Sequence, residues 1–402
     1  MPPPPDAVLS VTMSADRTIF TTTEMLARLV AFDTTSRLPD LPLIVWVEAY
    51  LGAHGLTATR SRGPQDGKVN LHAIIGPQTD GGIGFAGHVD TVPVDGQAWT
   101  RDPFTLHADH GRLYARGAAD MKGFVASMLA AVPDFIALRA PHPIHLMLTF
   151  DEEITCDGAR VLAEDLQARD VRPALCVVGE PTMMTPVIAH KGRLAVRVSV
   201  VGQPGHSSAP GDGVNALHAM GEALAWISAE ARRLAHAGRR VEGFDPPHTT
   251  IQAGVAQGGT ILNIIPEQAS FEMEWRTVPG DDAHAELDRF RRFLGETIEP
   301  WMQSRFPQTG FSVEVLTELP PLSLADDAPL AHRVRQVTGA NTSGRVSYGT
   351  EAGIYQSAGI ASIVCGPGDI AQAHRPDEWI AESQLVACDR FLRAMAARPF
   401  AA

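Results

Sequence analysis

The stretch Thr149-Phe-Asp-Glu-Glu-Ile-Thr155 places three consecutive carboxylates, Asp151, Glu152 and Glu153, at the end of an apolar run. That run, residues 144–150, is predicted to be a buried strand because it is short, apolar and followed by charge. Neighbouring carboxylates raise one another's pKa, so holding three of them together costs free energy. A chain tolerates such a cluster on a solvated turn or where cations neutralise it, and the rest of the sequence decides between the two.

The composition is that of an ordinary globular protein, with 45% hydrophobic and 20% charged residues in a chain of 402. A net charge of −13 without a basic stripe argues against nucleic-acid binding. No apolar run approaches the roughly 18–20 residues of a membrane span, and the first residues do not resemble a signal peptide. Four scattered cysteines without CxxC spacing are typical of a reducing compartment. We therefore expect a soluble, cytoplasmic protein that binds neither nucleic acid nor membrane.

The length predicts two domains, because one hydrophobic core rarely serves so long a chain. Up to residue 183, strands alternate with helices, which is typical of an α/β domain with a mostly parallel sheet. Residues 1–16 are expected to form a flexible leader. Between residues 184 and 320 the order changes to β-α-β-β-α-β, that of a ferredoxin-like sandwich. The α/β pattern returns over residues 321–402, so the second domain is predicted to be an insertion into the first.

Histidines and carboxylates follow predicted strands, or lie on glycine-bounded loops, at five places in the α/β domain. In open α/β sheets, binding sites form at the carboxyl ends of the strands. Two histidines and several carboxylates, without cysteine, suit Zn²⁺, Co²⁺ or Mn²⁺ and could hold two ions about 3.5–4 Å apart. The five stretches are Gly87-His-Val-Asp90, Arg116-Gly-Ala-Ala-Asp-Met-Lys-Gly123, Asp151-Glu-Glu153, Val178-Gly-Glu-Pro-Thr182 and Ala371-Gln-Ala-His-Arg-Pro-Asp377.

The spacing within two of these stretches has chemical consequences. Asp90 lies two residues after His88, so on an extended segment its carboxylate could accept the second imidazole N–H and fix the tautomer. Glu152 and Glu153 are adjacent and point to different sides, so one can bind a cation while the other faces a water molecule. Six other histidines match none of these stretches and are interpreted as surface or hydrogen-bonded core residues: His107, His110, His142, His145, His190 and His248.

In order and in kind, the five stretches resemble the metal-site motifs of peptidase family M20, the di-zinc aminoacylase and carboxypeptidase superfamily. The resemblance covers nearly the whole chain apart from the proline-rich leader. It implies a hydrolase whose inserted domain serves as lid and dimerisation surface. Four further stretches are most similar to the members of the family that deacetylate acetylornithine: Gly205-His-Ser-Ser-Ala-Pro210, Leu262-Asn-Ile-Ile-Pro266, Tyr348-Gly-Thr-Glu-Ala-Gly353 and Cys365-Gly-Pro-Gly-Asp-Ile-Ala-Gln-Ala-His-Arg-Pro-Asp-Glu378.

The resemblance implies two divalent metal ions, with Zn²⁺ expected and Co²⁺ or Mn²⁺ as alternatives. Asp120 would bridge the two ions. His88 and Glu180 would complete the ligands of one ion, and Glu153 and His374 those of the other. A cis peptide bond after Asp120 is implied as well.

The resemblance also implies how the remaining residues of the motifs act. Glu152 would be the general base against a metal-bridging water, and Asp90 would orient His88. His206 would stabilise the oxyanion, reaching the site from the partner subunit of a homodimer; a turn cap is its structural alternative. Asp151 receives no role beyond shaping the turn.

The expected substrate is a small N-acyl amino acid. Asn263 and Arg276 would bind its α-carboxylate, although an ordinary surface ion pair is the alternative for Arg276. Glu351 would lie near a side-chain ammonium. The expected reaction is removal of the acetyl group from N2-acetyl-L-ornithine in arginine biosynthesis. The alternatives are succinyl-diaminopimelate desuccinylase, aminoacylase, dipeptidase or carboxypeptidase activity, or a non-catalytic protein that binds metal or amino acids.

Overall fold

A computed structural model describes residues 19–397, so the flexible leader predicted for residues 1–16 lies outside the described part. The chain forms two compact units. The first extends to Ala189 and includes Leu322–Gly344 and the chain from Thr350 onward. The second comprises His190–Pro321 with Arg345–Gly349, whereas the sequence predicted an insertion over residues 184–320.

The two units together contain the following strands and helices, which alternate through most of the first unit. The strands are β1 (Ala58–Arg62), β2 (Val69–Ile75), β3 (Ile83–His88), β4 (His107–Asp109), β5 (Arg112–Tyr114), β6 (Ile144–Thr149), β7 (Leu175–Pro181), β8 (Val187–His190), β9 (Gly192–Val201), β10 (Thr250–Gly258), β11 (Gln268–Thr277), β12 (Gly310–Leu319), β13 (Leu322–Ser323), β14 (Gly344–Val346), β15 (Ala361–Gly366) and β16 (Trp379–Ala381). The α-helices are α1 (Thr22–Val30), α2 (Leu41–Ala53), α3 (Lys122–Ala130), α4 (Val132–Leu138), α5 (Asp157–Ala168), α6 (Ala216–Ala237), α7 (Ala283–Phe293), α8 (Glu299–Gln303), α9 (Pro329–Thr338), α10 (Ala352–Ser357) and α11 (Glu382–Ala396).

The main sheet of the first unit has the strand order β1-β2-β6-β3-β7-β15-β8-β13, with β14 paired to β8. Its four central strands, β6, β3, β7 and β15, run parallel to one another. The pairs β1–β2, β2–β6 and β15–β8 are antiparallel. The predicted α/β class with a mostly parallel central sheet is confirmed. Strands β16, β5 and β4 form a separate small sheet.

The central strands are buried along almost their whole length, as expected for a parallel sheet with helices on both faces. Every residue of β2, β3 and β6 is buried. Helix α3 is buried from Lys122 to Leu129 and packs against α1, β3 and α11. Between residues 19 and 397, no helix is both long enough and apolar enough to cross a lipid bilayer.

The second unit is a four-stranded antiparallel sheet with the order β10-β11-β9-β12. Its elements follow the chain order β9-α6-β10-β11-α7-β12, which is the predicted β-α-β-β-α-β arrangement, and α8 extends the second helical segment. Along β11, buried Phe271, Met273 and Trp275 alternate with more exposed residues, as expected for a strand with one face on the core. Strand β10 lies at one edge of the sheet.

Candidate active site

The acidic turn after β6 lies at the same edge of the main sheet as the ends of β3 and β7. Strand β3 is parallel to both of its neighbours, β6 and β7, and ends at His88. Glu180 is the penultimate residue of β7. Because parallel strands end at a common edge, three sequence segments bring their polar side chains together there. His88 has no exposed surface and Glu180 is only 4% exposed.

Asp120 lies between two histidines. Its Oδ1 is 3.2 Å from Nε2 of His88, and its Oδ2 is 3.4 Å from Nε2 of His374. His374 Nε2 is also 2.9 Å from Oε2 of Glu153, and His88 Nε2 is 3.7 Å from Oε1 of Glu180. Each carboxylate oxygen of Asp120 therefore faces a different half of the cluster, as a bridging ligand requires. The peptide bond between Asp120 and Met121 is cis, as the resemblance implied.

Two overlapping groups of potential ligand atoms have the spacing that a metal ion needs. The first comprises His88, Glu152 and Glu180, and the second His88, Asp120 and Glu153; the atoms of each group lie within 4.8 Å of one another. Glu152 Oε2 is 4.0 Å from Nε2 of His88, somewhat farther than the oxygens of Asp120 and Glu180.

The carboxylates of the cluster repel one another in a buried setting. Burial, followed by this repulsion, raises the pKa of Glu152 and Glu180 well above the ordinary value and that of Glu153 to about 7. Burial would also raise the pKa of Asp120, but hydrogen bonds with His374 and His88 hold it below its usual range. Cations would relieve this repulsion, and imidazole nitrogens with carboxylate oxygens are ligands that Zn²⁺ accepts. The cluster therefore fits two divalent metal ions.

Asp90 holds both His88 and the acidic turn. Nδ1 of His88 is 3.0 Å from the backbone carbonyl oxygen of Asp90 and 3.5 Å from its Oδ1, so the imidazole N–H is nearer the backbone than the expected carboxylate. The carboxylate accepts the backbone N–H groups of Glu152, at 3.1 Å, and Glu153, at 3.3 Å. It also accepts the hydroxyl of Ser36 at 2.8 Å. A proton on Nδ1 leaves the lone pair of Nε2 directed into the cluster.

Asp151, which had no predicted role beyond the turn, forms a buried ion pair with Lys68. Its Oδ1 is 2.5 Å from Nζ of Lys68, and the two side chains are 4% and 3% exposed. A buried charge needs a partner, so Lys68 explains how a third acid is tolerated at this turn. Sequence reasoning missed Lys68, and also a second buried pair at 2.7 Å, between Arg116 and Glu378. The motifs contained Arg116 and Glu378, but nothing in them showed that the two residues meet.

His206 and Asn263, two residues of the second unit with predicted roles, lie on adjacent, exposed loops. His206 forms an isolated β-bridge with Ile264, and the N–H of Ser207 donates to the carbonyl oxygen of Asn263 at 3.1 Å. Nδ1 of His206 accepts the backbone N–H of Ser208 at 3.1 Å. In the neutral ring, the proton is therefore on Nε2, which can act as a hydrogen-bond donor.

Arg276 lies near the end of β11 and is half-buried. Its Nε donates to Oε1 of Glu274 at 3.1 Å, and Glu274 also accepts from Nε of Arg193 at 2.8 Å. The ion pair considered as the alternative for Arg276 is therefore present. Glu274 leaves the other N–H groups of the guanidinium for a substrate carboxylate, and that role of Arg276 stays a prediction.

Glu351 is buried, and its predicted contact with a substrate ammonium group stays a prediction. It directly precedes α10, which packs against β15, and it has no exposed surface. Burial raises the pKa of its carboxyl group to about 7.

Histidines and carboxylates gathered around a shared aspartate, at the carboxyl edge of a parallel sheet, define a di-metal hydrolase. The family confirms that class: the chain belongs to peptidase family M20/M25/M40, whose sequence pattern matches residues 84–398. The resemblance inferred from the motifs is thereby confirmed.

Curated relatives extend over most of the chain. The acetylornithine deacetylase of Myxococcus xanthus is 38% identical over 383 residues, which are 92% of this chain and 96% of that protein. The acetylornithine deacetylase of Klebsiella pneumoniae (strain 342) is 38% identical over 313 residues, covering 78% of this chain and 79% of that protein.

Several solved structures share the fold at low sequence identity. An M20 family metallo-carboxypeptidase from Sulfolobus solfataricus has a TM-score of 0.71 at 16% identity, covering 94% of this chain and 99% of that one. The aminopeptidase PepT from Bacillus cereus has a TM-score of 0.70 at 20% identity, covering 95% and 99%. A Bacillus subtilis protein described as a dinuclear metal-binding peptidase of the M20 family has a TM-score of 0.66 at 17% identity, covering 94% and 96%.

Proposed function

We propose that this protein is a metal-dependent amide hydrolase that removes the acetyl group from N2-acetyl-L-ornithine. The products would be acetate and L-ornithine, which serves arginine biosynthesis. One observation carries the proposal: a chain that is 38% identical to an acetylornithine deacetylase over 96% of that protein also brings two histidines and several carboxylates together around Asp120. The cluster supports the reaction type, and the relatives support the substrate.

Two divalent cations are the cofactor that the cluster fits, and we propose Zn²⁺, with Co²⁺ or Mn²⁺ as alternatives. His88 and Glu180 would hold one ion, and Glu153 and His374 the other. Asp120 would contact both ions, because its two oxygens face the two histidines. Cations bound there would lower the pKa of water towards neutrality and polarise the amide carbonyl.

Glu152 is proposed to move the proton. A base whose pKa lies near the working pH can take a proton from water and return it to the leaving nitrogen. The Glu152 side chain is 12% exposed, so it borders the cluster while remaining largely desolvated, and burial raises its pKa. Its backbone N–H donates to Asp90 at 3.1 Å, which fixes the start of the side chain.

Three residues of the second unit are proposed to contact the substrate. His206 would donate a hydrogen bond from Nε2 to the oxyanion, because its Nδ1 already accepts the N–H of Ser208. Arg276, with Asn263, would bind the α-carboxylate, for which a guanidinium offers paired N–H donors.

We also propose that the second unit forms a homodimer that brings His206 to the partner's cluster. Strand β10 is an edge strand, and unpaired edges and exposed apolar side chains favour association. Three side chains of the unit illustrate this exposure: Leu262 is 97%, Ile261 60% and Val255 56% exposed.

Mixing two inactive variants tests the dimer. In a mixed dimer of H206A and E152Q, the site that keeps Glu152 receives His206 from its partner, so one site in two is complete. With free subunit exchange, about a quarter of the unmodified activity should return. A purely monomeric mass, or no recovery after confirmed exchange, would contradict the trans role.

A substrate panel tests the reaction. We expect acetate release from N2-acetyl-L-ornithine to exceed turnover of other N-acetyl amino acids, N-succinyl-diaminopimelate and dipeptides. Preference for one of these other compounds would mean that the protein catalyses a different reaction of the M20 family. No turnover of any compound would favour a non-catalytic binding protein. The cytoplasmic location stays a prediction; its support is that all four cysteines are free thiols.

A further inference from the structure

Glu378 is a buried carboxylate whose two oxygens both face the loop that carries Asp120. Its Oε1 accepts the N–H groups of Ala119, at 2.8 Å, and Asp120, at 3.1 Å. Its Oε2 accepts the N–H of Gly117 at 3.0 Å and the guanidinium of Arg116 at 2.7 Å. Glu378 is 1% exposed. One carboxylate thus fixes three backbone groups within four residues, the last of which is Asp120.

The same network reaches the backbone around His374. Nη1 of Arg116 donates to the carbonyl oxygen of Arg375 at 3.4 Å, and Nη2 donates to Oε1 of Gln97 at 2.6 Å. Nε2 of Gln97 donates to the carbonyl oxygen of His374 at 3.0 Å. The His374 side chain is 55% exposed, so little packing holds it in place. Its backbone contacts therefore matter for where the imidazole lies.

We propose that Glu378 is a positioning residue that, through Arg116 and Gln97, holds Asp120 and His374 at a common cation. This rests on the proposed function, because it takes Asp120 and His374 as ligands of one metal ion. The two ligands lie in different loops rather than in strands, and the nearest strand pairing, between β5 and β16, joins Tyr114 to Trp379. Groups that orient ligands commonly contribute 10- to 100-fold to metal affinity.

A purely structural role is the competing explanation, because removing one member of a buried ion pair destabilises any fold. The second unit contains a matched control. Glu230 is 5% exposed and accepts hydrogen bonds from Arg233 at 2.8 Å and from Arg289 at 2.8 Å. It belongs to the other compact unit and has no part in the cluster.

The first experiment compares E378Q with E230Q in the full-length protein. An amide at residue 378 would turn an NH₂ group towards backbone donors and displace the loop. We expect at least one of the two Zn²⁺ ions to bind about 10- to 100-fold more weakly in E378Q, and both to bind normally in E230Q. Competition with a chromophoric chelator measures the affinities. Unchanged affinity in E378Q, or an equal loss in E230Q, would overturn the proposal.

Hydrogen exchange of the metal-free protein supplies a readout that does not depend on the ions. The amides of Gly117, Ala119 and Asp120 should exchange faster in E378Q than in the unmodified protein, because they lose their acceptor. Equal exchange at all three amides would contradict the contacts on which the proposal rests.

A milder variant, Q97L, decides the matter if E378Q fails to fold. It keeps the pair between Arg116 and Glu378 but removes the donor to the carbonyl oxygen of His374. We expect a less than tenfold but measurable loss of affinity for one Zn²⁺ ion. Binding of both ions with unmodified affinity in Q97L would overturn the proposal.

These measurements need no substrate, so the two proposals fail in different ways. If the unmodified protein binds two Zn²⁺ ions but releases no acetate, the proposed function fails while the role of Glu378 can still be measured. If E378Q binds both ions normally and the unmodified protein deacetylates acetylornithine, only the role of Glu378 fails.

Discussion

Two fully buried histidines on neighbouring strands of the main sheet have opposite surroundings. His88 is the last residue of β3, and its Nε2 is 3.2 Å from Asp120. His145 is the second residue of β6. Its Nδ1 is 3.0 Å from Nε2 of His72, and its Nε2 is 3.0 Å from the carbonyl oxygen of Gly81. Neither histidine has any exposed surface, so burial cannot be what distinguishes them.

Neighbouring charges give the two imidazoles different proton affinities. Burial would lower the pKa of His88, but nearby carboxylates, Asp120 first among them, raise it well above the ordinary value. Burial, with a smaller contribution from the guanidinium of Arg169, lowers the pKa of His145 to about 4 and that of His72 to about 2. The pair is therefore neutral at pH 7. Its hydrogen bonds run in one direction, from Arg169 through His72 and His145 to a carbonyl oxygen.

The comparison teaches that position along a parallel strand decides the role of a buried histidine. In the register of β3 and β6, His145 pairs with Gly84 near the start of the strands, and His88 pairs with Thr149 at their end. The acids of the cluster lie at the carboxyl ends of the strands, where binding sites form in α/β sheets. A histidine there gains carboxylate neighbours, whereas one near the start is satisfied by other neutral groups.

The largest expected effect comes from changing Glu152, one of the carboxylates around His88. E152Q removes the proposed proton carrier but keeps a side chain of the same shape. We expect kcat for acetylornithine to fall about 10²- to 10⁴-fold, since that is the usual contribution of a general base. Zinc content, measured by elemental analysis, should stay at the unmodified level. Full activity in E152Q would remove Glu152 from the mechanism.

Substituting His88 and His145 in turn tests whether their positions along the strands give them different roles. H88A should weaken Zn²⁺ binding more than about 100-fold, because losing a ligand costs more than losing a group that orients one. H145N should leave the affinity unchanged, and calorimetric titration of both variants with Zn²⁺ checks this. A similar loss in both variants would mean that position along the strand does not separate the two histidines.

Because His72 and His145 are neutral in the folded protein, we expect the free energy of unfolding to fall at acid pH. An unfolded histidine binds a proton below about pH 6.5, whereas folded His145 does so only near pH 4. Between these values the unfolded state binds more protons, so the free energy of unfolding falls as pH falls. Each such histidine costs up to about 1.4 kcal/mol per pH unit over that window.

Urea unfolding of the metal-free protein at pH 7, 6 and 5 measures this dependence. The metal-free form is used because bound ions would add their own pH dependence. The double variant H72N/H145N should show a shallower loss of stability between pH 6.5 and pH 5. An identical slope in the unmodified protein and the double variant would show that the pair is not held neutral.

The smallest expected effect is on catalysis by that double variant. At pH 7 and below its unfolding temperature, H72N/H145N should retain kcat within about twofold, because neither histidine contacts a group of the proposed mechanism. A larger loss in the folded, zinc-loaded variant would show that the pair is coupled to the site.

The sequence could predict the cluster because its residues follow strands or lie on loops beside them. His88, Glu153 and Glu180 come together for that reason, and motif order added Asp120 and His374. Their ligand roles stay predictions, whereas the mostly parallel sheet and the family are confirmed.

Pairs that depend on tertiary packing could not be predicted. Lys68 and Asp151 are 83 residues apart, and Arg116 and Glu378 are 262 apart. No local pattern links such partners, although they decide how the acidic turn and the Asp120 loop are held. The burial of Glu351 could not be predicted for a related reason: the motif showed a carboxylate but not the elements that pack around it.

The most direct test of the account is acetate release from N2-acetyl-L-ornithine by one preparation in three states: as purified, after chelation and after return of Zn²⁺. We expect chelation to abolish activity and two equivalents of Zn²⁺ per chain to restore it. Undiminished activity in protein shown to be free of metal would contradict it, as would a fully reconstituted protein that releases no acetate.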